Sequence, residues 1–376
     1  MKKYASLILG WVVVLLWAAC STEPPEPTDP TDPNKPEVDT EIVELDYPDH
    51  FPDPYLPSNN PLTQAKIDLG KKLFFDPILS VDESQSCGSC HFQENAFADP
   101  RPFSPGVGGA VGSRPELRRN APPLFNLAWH PSLFWDGAIE DPRGRNDQLE
   151  NQARVPIEAP HEMNSNFPLV MERLKAHQAY PDMFWKAFGD TVTERYILQA
   201  LASFERTLIS ADSKWDRYMR QGQDTSIFTD SELRGMKLYF AETGERHAEC
   251  FHCHGGFNFD DPAGEFRNNG FFDVYDDQGR FLLTGSPFDV GKFKVPSLRN
   301  IEYTAPYMHD GSFNTLDEVL DRYLEVGHPS FDRHENTDLL ISNIVFTEED
   351  KDDLIAFLKT LSDPNFINNP AFSSEQ

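Results

Sequence analysis

Cysteine is scarce in this chain, five among 376 residues, and its placement excludes a disulfide-built protein. One cysteine stands at position 20, and the other four form two close pairs, Cys87/Cys90 and Cys250/Cys253. Basic residues are few as well: 33 Lys and Arg against 61 Asp and Glu, a formal charge of −28. That balance argues against nucleic acid and anionic membrane surfaces as partners, while it suits solubility and attraction to a basic protein. No segment shows the two-residue alternation of a large sheet. The apolar run over residues 5–19 is too short to span a bilayer comfortably.

That run follows Met1-Lys2-Lys3 and has the form of a secretory signal peptide over 1–19. Leu16-Trp17-Ala18-Ala19-Cys20 resembles a bacterial lipobox, with Trp17 where leucine is usual, so Cys20 is expected to become a lipidated N-terminus. Residues 20–42 are rich in Pro, Thr, Asp and Glu and cannot bury enough apolar surface to fold; they read as a tether.

The remaining four cysteines belong to two copies of one pattern, Cys87-Gly88-Ser89-Cys90-His91 and Cys250-Phe251-His252-Cys253-His254. Both are C-x-x-C-H, the attachment site of c-type haem. Two thiols three residues apart reach the two vinyl groups on one porphyrin edge, and the next histidine meets the iron from one face. A zinc site needs further Cys or His pairs at ligand spacing, and a redox dithiol has no use for a histidine in both copies. His91 and His254 are therefore the expected proximal ligands, and His252 a variable position inside the second motif.

Apolar spacing predicts helices over 63–75, 168–188, 191–209, 229–241, 315–324 and 348–361. Thr229 with Glu232 and Thr315 with Glu318 form capping boxes. Residues 120–163 read as loops and short helices, 214–223 as a polar crossing, and 257–289 as long loop. Lys72-Leu73-Phe74-Phe75 before the first motif is matched by Lys237-Leu238-Tyr239-Phe240 before the second, which marks an internal duplication. The expected architecture is mainly α: two domains, 43–213 and 214–376, each carrying one haem.

Further blocks accompany the motifs in order: Phe134-Trp135-Asp136-Gly137, Pro156-Ile157-Glu158, Glu162-Met163, Val295-Pro296-Ser297-Leu298-Arg299-Asn300 and Thr304-Ala305-Pro306-Tyr307. Together with the motifs they resemble the bacterial di-haem cytochrome c peroxidase family, MauG-like enzymes included, over residues 55–362. The resemblance implies two cytochrome c-like domains, an N-terminal peroxidatic haem and a C-terminal haem that stores and relays electrons. It implies hydrogen peroxide as substrate, a small c-type cytochrome or copper protein as electron donor, and a calcium ion between the domains. It also allows a homodimer.

By position, Glu162 matches the family's acid–base glutamate and Gln152 the glutamine that orients peroxide. A carboxylate can take a proton from one peroxide oxygen and deliver it to the other. Trp135 matches the tryptophan between the haems, and the chain carries a charged insert near 141–147 between Trp135 and Gln152. Asn120, Thr304 and Pro306 match the calcium ligands, an oxygen-only set suited to that ion. Many members carry a histidine 16 residues after the first proximal histidine, where this chain has Val107; His130 and His161 are rival ligands. An open first iron is therefore expected. For the second iron, the position 19 residues after Thr304 is Tyr323, the ligand type of MauG-like enzymes, with Met308 as competitor. Three readings follow: a peroxidase fed by a small redox protein, a MauG-like oxidase of a protein or small molecule, and a non-catalytic electron-transfer cytochrome. A lipid-anchored protein of the periplasm or cell envelope is the expected setting.

Overall fold

Thr63 opens the first helix by accepting a hydrogen bond from the Lys66 amide, and Asp76-Pro77 closes it. The computed structural model describes residues 35–109, 118–140, 147–242, 246–261 and 263–374. The expected signal peptide, Cys20, the tether up to residue 34 and positions 141–146 of the insert lie outside the described residues. In order, the helices are α1 (Gln64–Phe75), α2 (Gln148–Glu158), α3 (Phe167–Ala176), α4 (Tyr180–Phe188), α5 (Glu194–Thr207), α6 (Lys214–Arg220), α7 (Asp230–Tyr239), the single turn α8 (Phe281–Thr284), α9 (Leu316–Gly327), α10 (Glu348–Lys359) and the turn α11 (Pro364–Ile367). The described strands are short antiparallel pairs: β1 (Ser132–Leu133) with β2 (Ile139–Glu140), and β3 (Phe266–Arg267) with β4 (Phe293–Lys294). The chain is mainly helical, as its patterning predicts, and both capping boxes form.

The duplication is visible in the packing. Gly70, three residues before Leu73-Phe74-Phe75, lets α1 cross α5 closely: a Cβ there would lie 1.9 Å from the Ala200 carbonyl oxygen. Gly235, three residues before Leu238-Tyr239-Phe240, does the same for α7 on α10, where a Cβ would lie 1.8 Å from the Asp353 carbonyl oxygen. Around the first crossing lies a core of Leu69, Phe74, Leu174, Phe184, Ala200 and Phe204; around the second, one of Tyr239, Phe259, Leu320, Leu354 and Phe357. Asn126 and Asn300 also correspond. Each holds a left-handed backbone, and each amide bonds the carbonyl just past a core helix, Leu208 after α5 and Leu361 after α10.

Four features differ from expectation. Residues 168–188 form two helices, not one: His177 turns extended at the end of α3, and Pro181 belongs to the first turn of α4. The polar crossing at 214–223 contains α6, whose Ser213–Asp216 capping box satisfies its N-terminal amides. The long loop at 257–289 contains β3 and α8. The polar leader, expected to run free to residue 42, is docked from Lys35 onward. The Lys35 ammonium sits 3.6 Å from the Trp185 ring centre, and Asp39 accepts the Ala65 amide at the start of α1. Beyond α10, Phe366 and Phe372 return to the first core.

Candidate functional site: two cavities with a tryptophan between them

Each C-x-x-C-H forms the same tight helical turn. His91 N–H bonds the Cys87 carbonyl at 3.0 Å, and His254 N–H bonds the Cys250 carbonyl at 2.8 Å. This gathers Cys250, Cys253 and His254 on one edge of a cavity in the second half, and places Cys90 and His91 on the wall of a cavity in the first, with Cys87 just behind them on the same turn. The imidazoles are oriented from behind: His91 Nδ1–H donates to the Phe97 carbonyl at 2.6 Å and His254 Nδ1–H to the Pro296 carbonyl at 3.1 Å. Each Nε2 is thereby left free to face the cavity as a potential metal ligand. Burial lowers both pKa values, that of His254 to about 4, which keeps the rings neutral as metal ligands must be. None of the described cysteines is in a disulfide. Paired thiols, a neutral imidazole and a largely apolar cavity fit covalent haem in both places.

The first cavity, of about 560 Å³, is lined by Cys90, His91, Gln152, Pro156, His161 and Glu162 among others. Gln152 and Pro156 come from α2. Glu162 follows on a turn in which its N–H bonds the Ala159 carbonyl and its carbonyl accepts the Val107 amide at 2.9 Å. Gly106 makes that contact possible, since a Cβ there would lie 2.0 Å from the His161 carbonyl oxygen. The Glu162 carboxyl opens into the cavity, and desolvation by the surrounding protein raises its pKa. Val107 does not line either cavity; its backbone serves as a clamp on Glu162.

His130 and His161 also line the first cavity. Both ring nitrogens of His130 face protein groups, Asn258 Nδ2 at 3.2 Å and Asp260 at 3.4 Å. His161 is more than half exposed, with Nε2 3.8 Å from Glu162. The second cavity holds both rival ligands, Tyr323 from α9 and Met308. Asn269 donates to the Met308 sulfur at 3.7 Å, and Phe271 packs edge-on against Tyr323 at 4.7 Å. Burial raises the Tyr323 phenol well above its usual pKa. His252 lies outside the cavities, partly exposed beside Glu249.

Trp135 lines both cavities. The Phe-Trp-Asp-Gly block is the loop of the β1–β2 hairpin, with left-handed Phe134 and Gly137 making the bend. Arg119 fixes the loop by bonding Asp136 at 2.6 Å and Asp277 at 2.7 Å. The indole N–H donates to the Asn120 carbonyl at 2.9 Å, and the Trp135 carbonyl accepts the Lys294 amide at 2.7 Å. Asn120, Thr304 and Pro306 come together at the second cavity. The Asn120 amide nitrogen is spent on the Asp99 and Arg101 carbonyls, so its oxygen is left as an acceptor for a cation. The sequence alone does not point to the Arg119 bonds, the Gly106 clamp or Lys294. A lone Arg, Gly or Lys carries no local pattern, although Lys294 stands directly before the Val-Pro-Ser-Leu-Arg-Asn block.

Residues 64–224 match the family model described as di-haem cytochrome c peroxidase. Over 319 residues the chain is 38% identical to the methylamine utilization protein MauG of Methylorubrum extorquens, covering 84% of this chain and 83% of that one. The chain belongs to the di-haem cytochrome c peroxidase family. It is also 33% identical over 303 residues to the cytochrome c551 peroxidase of Nitrosomonas europaea, 78% of this chain and 79% of that one. Among solved structures it is similar to a MauG-like protein associated with microbial copper homeostasis, with a TM-score of 0.77, 37% identity and coverage of 88% of this chain and 99% of that one. Membership makes this chain an oxidoreductase and implies two haem c groups. No described helix is long and apolar enough to cross a membrane.

Proposed function

We propose that this family member is a peroxidase that reduces hydrogen peroxide to water, H2O2 + 2 H⁺ + 2 e⁻ → 2 H2O, with electrons from a small redox protein. The observation that carries this reading is the Gln152–Glu162 pair on the wall of the cavity that holds His91. Haem supplies the redox-active iron at each C-x-x-C-H. Gln152 orients peroxide by hydrogen bonding. Glu162 accepts a proton from one oxygen and returns it to the other, and its raised pKa lets it hold that proton in transit. His130 is committed to Asn258 and Asp260, which supports a first iron open to peroxide without prior reduction. Trp135, which lines both cavities, would carry electrons between the two haem sites, and Tyr323 would bind the iron of the second. Asn120, Thr304 and Pro306 would hold calcium. Two cytochrome c-like domains that meet near residue 213, the first extended by residues 35–42 and by the C-terminal Phe366 and Phe372, and lipid anchorage through Cys20 complete the reading.

The test is steady-state peroxide consumption by haem-loaded protein with reduced cytochrome c. Glu162→Gln is expected to lower turnover by roughly 10²-fold or more with haem content intact. Parent activity should rise with pH as Glu162 loses its proton, over a range above that of an ordinary glutamate, and the variant should lose that limb. Unchanged turnover in Glu162→Gln would refute the assignment. A MauG-like oxidase is the second reading, supported by Val107, Tyr323 and the 38% identity to a MauG protein. It predicts that peroxide perturbs the Soret band while cytochrome c supports no turnover. A pure electron-transfer cytochrome predicts a Soret band blind to peroxide.

A further inference from the structure

Lys294 is the second residue of β4, and its backbone amide bonds the Trp135 carbonyl at 2.7 Å. It lines both cavities. Lys294 is half-buried, and its ammonium makes no hydrogen bond and no ion pair within 4 Å to another described residue. Burial depresses its pKa, and the Asp260 carboxylate, farther away than ion-pair distance, partly offsets that. Its other titratable neighbour, His130, is held neutral by burial. A half-buried ammonium without a protein partner, at the wall of two cavities, is placed to pair with an anion held there. Each haem carries two propionate carboxylates, and this side chain borders both places where a haem fits.

We propose that Lys294 is a counter-ion shared by the carboxylates of the two haems, and that its charge raises the reduction potentials of both. A positive charge near an iron favours the reduced form, which carries one positive charge fewer. One lysine thus ties the potentials of the two centres together beside Trp135. The inference rests on the binding of two haems and is independent of whether the enzyme reduces peroxide or oxidises another substrate.

Potentiometric titration of the purified di-haem protein, followed optically, tests it. Haem content is counted in every variant, so that loss of a cofactor is told apart from a change in potential. In Lys294→Gln both potentials are expected to fall; in Lys294→Arg, which keeps the charge, both should stay near the parent values. Asp260→Asn, which removes the nearest opposing carboxylate, should move both potentials up and serves if Lys294→Gln does not fold. A shift of one potential only, of neither, or an equal fall in the Arg and Gln variants would overturn the proposal.

Discussion

Replacing Gly70 by alanine sets two effects of opposite sign against each other. In a helix interior alanine is favoured over glycine by about 1 kcal/mol, which alone would stabilise α1. At this position the new methyl would lie 1.9 Å from the Ala200 carbonyl oxygen, where ordinary contact is roughly 3.5 Å. The obstacle is backbone in α5, so it cannot turn aside as a side chain could; the helices must move apart. Overpacking of this kind costs up to about 3 kcal/mol, occasionally more. The clash wins, leaving a net loss of about 2 kcal/mol, or a fall of roughly 4–8 °C in melting temperature for a cooperative unit of 150–250 residues. Gly235→Ala meets the Asp353 carbonyl at 1.8 Å and should behave alike. Thermal melts by far-UV circular dichroism, at matched haem content, read both. A melting temperature equal to or above the parent in either variant would show that the crossing tolerates a side chain, and the packing argument would be wrong.

Two further outcomes follow from buried groups. Glu205 is 5% exposed, one carboxyl oxygen has no hydrogen-bond partner, and burial pushes its pKa up to about 8 from an ordinary 4.5. The folded state therefore keeps a proton that the unfolded state has lost between those values, so stability falls by about 1.4 kcal/mol per pH unit across that window. Glu205→Gln should flatten this slope in denaturant titrations at pH 5 and pH 7; an undiminished slope would place the ionisation elsewhere. At the second cavity, Tyr323→Phe should change the ferric absorption spectrum and raise the potential of that haem, while Met308→Leu leaves both alone. The reverse pattern would make Met308 the ligand.

Much of the helical frame is legible from local sequence. α7 and α9 announce themselves through Thr229/Glu232 and Thr315/Glu318, and α1 through Thr63 and Asp76-Pro77, because caps and breakers act within a few residues. The two C-x-x-C-H turns are legible for the same reason. The break between α3 and α4 is harder to read, because apolar residues on both sides continue one helical period across it. α6 carries a readable Ser213–Asp216 box but is only seven residues long, too short for its periodicity to stand out. At the site, Glu162 is legible through family resemblance alone: its placement depends on Gly106 and Val107, more than fifty positions earlier. Lys294 illustrates the general limit. A single lysine reads as a solvated charge until the fold sets it on a cavity wall.

The return of the chain end to the first core has a bearing on where the chain can be shortened. Gln93, two residues past His91, donates its amide to the carbonyl of Asn369, 276 positions away. Phe366 sits edge-on to both Phe97 and Phe125. The packing around the first C-x-x-C-H turn is therefore completed from the far end of the chain, so removing the last turn would unlatch the opposite half of the sequence.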